Sequence, residues 1–140
     1  MPFLNNTDKI AGQWSDDGEH FKLSAPVVYL SSNYRTHDDQ PIYVPEGFVT
    51  DFASSWVGRF NLLSRKASFS AAAVLHDWLY YQGRETKDMA DLMFREALES
   101  QGVGAYDRWK AYWGVRLFGG SAWAAHRERD WTKTFKAKYQ

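Results

Sequence analysis

Asp51, His76, Asp77 and Asp91 are the side chains in this 140-residue sequence whose types and spacing suit chemistry. His76 and Asp77 interrupt an apolar run, Ala71-Ala72-Ala73-Val74-Leu75-His76-Asp77-Trp78-Leu79-Tyr80, that reads as one helix. At 3.6 residues per turn, His76 shares a face with Ala72, Ala73, Leu79 and Tyr80, the face such a helix buries, while Asp77 stands about 100° round. A buried imidazole needs partners for its nitrogens, and a buried carboxylate needs a cation or several donors. Those partners must come from other segments, and Asp91 and Asp51 are the candidates. A His oriented by one carboxylate, beside carboxylates free to hold a hard cation, is a unit that activates water and stabilises an oxyanion. The His takes the proton; the Asp behind it fixes the tautomer. The plain alternative is a core histidine bonded to Asp91 that ties two helices together. In that case Asp77 is a surface carboxylate, Asp51 caps a turn, and Tyr80 is packing.

These residues have to be positioned by their elements. Residues 1–12 read as an irregular arm. From Gln13 to Tyr43 short strands are expected, with Phe21, Leu23, Val27, Tyr29, Ile42 and Val44 in alternation and turns at Asp16-Asp17-Gly18 and His37-Asp38-Asp39-Gln40. Pro45-Glu46-Gly47-Phe48 ends the strands. Val49 to Ser55 follows as a loop rich in small and oxygen-bearing side chains, and residues 56–66 connect it to the helices. Ser68 is the expected cap of the central helix, which ends at Gly83; Thr86 is the N-cap of a second helix ending at Gly102. Four residues join the two, enough for an antiparallel hairpin. On the second helix Asp91 lies with Lys87, Phe94 and Leu98, while Asp88 points partly away. A third helix, Tyr106 to Phe118, is expected to turn Tyr106, Trp109, Trp113 and Phe118 to the core and to stop at Gly119-Gly120. The last segment, 121–140, is helical at first and then basic and aromatic.

One domain is expected over residues 1–140, divided into the arm, a β-rich part with its loop (13–55), a helical core (67–120) and the tail (121–140). Seventeen basic and seventeen acidic residues cancel, so no nucleic-acid partner is expected. There is no Cys, which excludes disulfide and thiolate chemistry and suits a reducing compartment. No signal peptide and no membrane span is read from the sequence.

The motifs Val44-Pro45-Glu46-Gly47-Phe48-Val49-Thr50-Asp51-Phe52-Ala53-Ser54, Leu75-His76-Asp77-Trp78-Leu79-Tyr80, Ala90-Asp91-Leu92-Met93-Phe94 and Val115-Arg116-Leu117-Phe118-Gly119-Gly120 together resemble a phage and prophage family of unknown function, over roughly residues 20–125. More distantly, their order is similar to that of bacterial and fungal phospholipases of the A2 class. This resemblance implies His76 as general base, Asp91 as its orienting partner and Tyr80 as a supporting hydroxyl. It also implies calcium held by Asp77, Asp51 and the Phe52 carbonyl. The chain departs from those enzymes in having Phe52 where they have Gly, and in lacking their disulfides.

The expected fold is α+β: a small N-terminal antiparallel sheet, then a three-helix, phospholipase A2-like core containing an antiparallel helical hairpin. The leading functional expectation is a phage-encoded, calcium-assisted ester hydrolase. The alternatives are a non-catalytic virion or tail-associated protein and a protein that binds a host factor. Expected partners are a lipid or membrane surface, met through the C-terminal tail, and other virion proteins. The expected location is the host cytoplasm or the virion.

Overall fold

The structure, a computed structural model, describes residues 12–14, 16, 21–50 and 70–128. It opens with five short strands: β1 (Gly12–Trp14), β2 (Phe21–Leu23), β3 (Val27–Tyr29), β4 (Ile42–Val44) and β5 (Val49–Thr50). β1, β2 and β5 form an antiparallel sheet in that order, and β3 pairs with β4 in a second, with Val27 opposite Val44 and Tyr29 opposite Ile42. The predicted alternation holds: Phe21, Leu23, Val27, Tyr29, Ile42 and Val44 are all buried. A strand places successive side chains on opposite faces, so one face of each short sheet is turned to the core. Both β3 and β4 rest on the first helix.

Among the described residues four helices follow, α1 (Ser70–Gln82), α2 (Lys87–Ser100), α3 (Ala105–Phe118) and α4 (Gly120–Glu128), the first three the expected core and the fourth the helical start expected of the last segment. The mixed α+β arrangement is the expected one. α1 is buried nearly all round, which makes it the axis of the fold rather than an amphipathic surface helix. Phe48 sets its ring edge against Trp78 at 5.1 Å, and Gln101 Oε1 accepts the otherwise orphaned Ala72 amide at 2.9 Å. Thr86 caps α2 as predicted, its hydroxyl accepting from the Met89 amide at 3.1 Å. α2 ends with Gly102 at φ 80° and the paired bonds Gly102 N to Glu99 O and Val103 N to Leu98 O, the Schellman closure that a left-handed glycine permits.

α1 ends in a similar way, at Gly83 with φ 68°, but its exit is more crowded. The Arg127 guanidinium, brought in by α4, donates to the Tyr80 and Tyr81 carbonyls, and a Cβ on Gly83 would stand 2.1 Å from Arg127 Nη1. A cation on the last carbonyls of a helix satisfies them and opposes the negative end of its dipole. Gly83→Ala meets both a positive φ and this guanidinium. It is expected to cost about 1–2 kcal/mol, more than the backbone penalty alone, read as a lower thermal midpoint.

The third helix corrects an expectation. Tyr106, Trp109, Trp113 and Phe118 do not face the core; they are 70, 59, 44 and 57% exposed. α3 packs instead through Ala111, Gly114 and Val115. Small side chains at spacing i, i+3, i+4 let two helices approach closely, and the large rings are left on the opposite side. Among the described residues no helix is long and apolar enough to cross a membrane.

Candidate functional site

The hairpin of α1 and α2 brings His76, Tyr80 and Asp91 together. His76 and Tyr80 lie four residues apart on α1, hence on one face, and α2 runs back beside that face. His76 Nε2 is 2.9 Å from Asp91 Oδ1, and the Tyr80 hydroxyl donates to the same oxygen at 2.7 Å. The other carboxylate oxygen, Asp91 Oδ2, accepts from Lys87 Nζ at 2.8 Å. Lys87 also donates to the carbonyls of Val115 at 3.0 Å and Arg116 at 3.4 Å, fastening the end of α3 to the cluster. Asp91 is fully buried and Lys87 is 18% exposed.

Electrostatics assigns the protons. Burial works to raise the Asp91 carboxyl, but the donors from His76, Lys87 and Tyr80 outweigh it and hold the group below its usual range. Burial pushes the His76 imidazole down, against the pull of Asp91; Lys87 pushes the same way as burial. The His76 ring lies between the rings of Tyr80 at 4.3 Å and Phe94 at 4.5 Å, an apolar slot that disfavours its charged form. Burial and the Asp91 charge drive the Tyr80 phenol up, so it remains a donor. With Asp91 ionised and His76 neutral, Nε2 carries the hydrogen it donates, and Nδ1 is the basic nitrogen.

Residues 26–115 match a family described as a protein of unknown function, DUF1353. The chain belongs to the DUF1353 family. Comparison with the curated proteins and with the solved structures gives no match. In this DUF1353 protein the matched span runs from just before β3 to the last turn of α3, and holds His76, Tyr80, Lys87, Asp91 and the Val115 carbonyl together.

Asp77, on the neighbouring face of α1, is half-buried. Its Oδ2 accepts a bond from the Thr50 hydroxyl, so the end of β5 is fixed against α1 one residue before Asp51 in the sequence. Asp51 and Phe52, the other expected calcium ligands, lie outside the described residues, as do the expected Ser68 cap and the expected connection over 56–66. Among the described residues no three His, Cys, Asp or Glu side chains gather as a metal set. Asp77 supplies a carboxylate oxygen, the donor type that a hard cation prefers.

Two buried polar bridges escaped sequence reading. Glu96 on α2 accepts from the buried Tyr29 hydroxyl of β3, from the Asn33 amide at 3.0 Å and from Asn33 Nδ2 at 2.7 Å. Glu85, in the hairpin connection, accepts from the His37 amide at 2.6 Å and lies 2.9 Å from His37 Nδ1. Both join the β-rich part to the helices across more than forty residues of sequence. The available signal was Glu96 itself, an acid on the apolar side of an amphipathic helix. The described part of the expected tail, residues 121–128, is also engaged: Trp123 packs edge-on to Tyr80 at 5.2 Å, behind the cluster, and carries Arg127 over its ring at 4.4 Å.

Proposed function

We propose that this protein is a phage-encoded hydrolase of the phospholipase A2 type, cleaving a lipid ester with water activated by His76. The observation that carries the proposal is a buried imidazole whose Nε2 meets a carboxylate that Tyr80 and Lys87 also bond. This arrangement reserves Nδ1 for accepting a proton. Water gives a proton to His76 Nδ1 as its oxygen attacks the ester carbonyl. Asp91 steadies the imidazolium that forms, and His76 then returns the proton to the departing alkoxide, leaving an acid and an alcohol. Tyr80 and Lys87 touch Asp91 rather than substrate, so they are positioning residues. Asp77, with Asp51 and the Phe52 carbonyl, would hold calcium, which would polarise the ester carbonyl. The order of the sequence motifs supports this reading.

A second reading is favoured by the burial of His76, only 7% exposed: the cluster is a structural bridge in a non-catalytic virion protein. One experiment separates the two. Fatty-acid release from mixed phospholipid vesicles in calcium is measured for wild type, His76→Ala and Asp77→Asn, with calorimetric calcium titration of each. Under the hydrolase reading, release falls by roughly 10²–10⁴-fold in His76→Ala, and calcium binding is lost in Asp77→Asn. Absence of release from wild type, with a lowered melting temperature in His76→Ala, would leave the bridge.

A further inference from the structure

The aromatic face of α3 is a feature of the surface that the hydrolase reading does not use. Tyr106, Trp109, Trp113 and Leu117 follow one another at three- and four-residue steps and are 70, 59, 44 and 68% exposed. They make an apolar strip about 16 Å long at 1.5 Å per residue. Lone exposed apolar residues are ordinary, but four large ones in a row on one helix mark a surface that meets something.

We propose that the occupant is an anionic phospholipid membrane surface, on which α3 lies with this face down; the choice of a membrane rests on the lipid-ester reading above. Two features favour lipid over protein. The strip is made of Trp and Tyr, whose rings have an apolar body and a polar edge and suit the headgroup boundary. Cations flank it, with Lys110 over the Tyr106 ring at 4.6 Å on one side and Arg116 on the other. Lys110 is paired with Asp107 and Arg116 with Asp88, so part of the local charge is neutralised in solution. The wider distribution is decisive in sign. From residue 105 onward the sequence carries eight Lys and Arg against three Asp and Glu, whereas residues 1–104 carry nine against fourteen. The neutral sequence is therefore polarised along its length, and α3 itself, with Arg108, Lys110 and Arg116 against Asp107, carries a net positive charge complementary to an anionic bilayer. Of the expected tail, Trp123 and Arg127 are engaged with α1, and residues 129–140 lie outside the described residues.

The test is flotation of the full chain with vesicles of phosphatidylcholine, with and without phosphatidylglycerol, at low and high salt. Wild type and the hydrolysis-negative His76→Ala are both expected to float with the anionic vesicles and less so at high salt. Trp109→Ser combined with Trp113→Ser is expected to reduce flotation about tenfold or more. If that pair lowers the melting temperature, Tyr106→Ser with Leu117→Ser repeats the test at the ends of the same face. Wild type that does not float overturns the proposal, as does flotation that the variants leave unchanged. A wild-type dimer that does not float and that the variants dissociate also overturns it, and assigns the face to a second copy of the chain. Flotation without fatty-acid release would sink the hydrolase reading alone.

Discussion

Asp91→Ala is expected to lower the stability of the fold by about 3 kcal/mol, because it leaves a half-buried cation and two buried donors without their acceptor. Removing one partner of a buried charged pair costs more than the pair contributes, since the remaining charge keeps its desolvation penalty. Lys87 retains the Val115 and Arg116 carbonyls, which softens the loss but supplies no counter-charge. Asp91→Asn separates the two roles of the residue. An amide of the same size can accept from His76 or from Lys87, but its NH₂ group must then face a donor. The expectation is a smaller fall in stability together with a loss of any hydrolytic rate of roughly 10²–10⁴-fold, as His76 loses its tautomer. Chemical denaturation and vesicle assays on the two variants check both statements. A fully stable Asp91→Ala protein would remove the cluster from the account of this fold.

The same cluster sets the response to acid. Both His76 and Asp91 have folded-state pKa values below their ordinary ones, 6.5 and 3.8, so the unfolded chain binds protons first as the pH falls. Stability is therefore complete above about pH 6.5. It declines below that as unfolded histidine becomes protonated, and declines further below about pH 4 as Asp91 is titrated. In His76→Phe the first decline should disappear from a pH series of melting curves, while the second remains.

Glu96→Ala is the second large effect, expected at about 2–4 kcal/mol, since its carboxylate accepts the Tyr29 hydroxyl and both Asn33 donors at the seam between β3 and α2. Tyr29 has no exposed surface, and burial with the Glu96 charge drives its phenol up, so it must donate. Glu96→Gln should cost much less, about 1 kcal/mol, because the amide can accept from Asn33 and donate to the Tyr29 oxygen. In a double-mutant cycle, Tyr29→Phe should reduce the cost of Glu96→Ala by at least about 1 kcal/mol, measured by denaturation. Additive costs would show that the two side chains do not act together.

The elements themselves were largely legible. Alternation of Phe21 with Leu23, Val27 with Tyr29 and Ile42 with Val44 marked the strands, and Gly83, Thr86 and Gly102 marked helix ends. These signals are local, a matter of side-chain period and of backbone angles that only certain residues take up. The meeting of His76 with Asp91 was legible too, because the four-residue connection folds α2 back along α1. Lys87 was placed on the right stripe but not as a ligand of α3 carbonyls, since nothing local says where the end of another helix will lie.

Where the sequence misled, side-chain size stood in for burial. Tyr106, Trp109 and Trp113 were expected inside because they are large and apolar, yet α3 enters the core through Ala111, Gly114 and Val115. Which side of a helix is buried depends on how closely its neighbour approaches, and small residues permit the closest approach. By itself, then, the sequence determined most of the elements and the helix ends at Gly83, Thr86 and Gly102, and brought together the two hairpin residues that could share a proton. It read Val49 and Thr50 as loop, where they form β5 by pairing with β2. Only the tertiary structure decided which face of α3 meets solvent, that Glu96 and Glu85 tie the strands to the helices, and that Arg127 closes α1. Each of these joins groups far apart in the chain, and such contacts are set by packing and by the need of every buried charge for a partner.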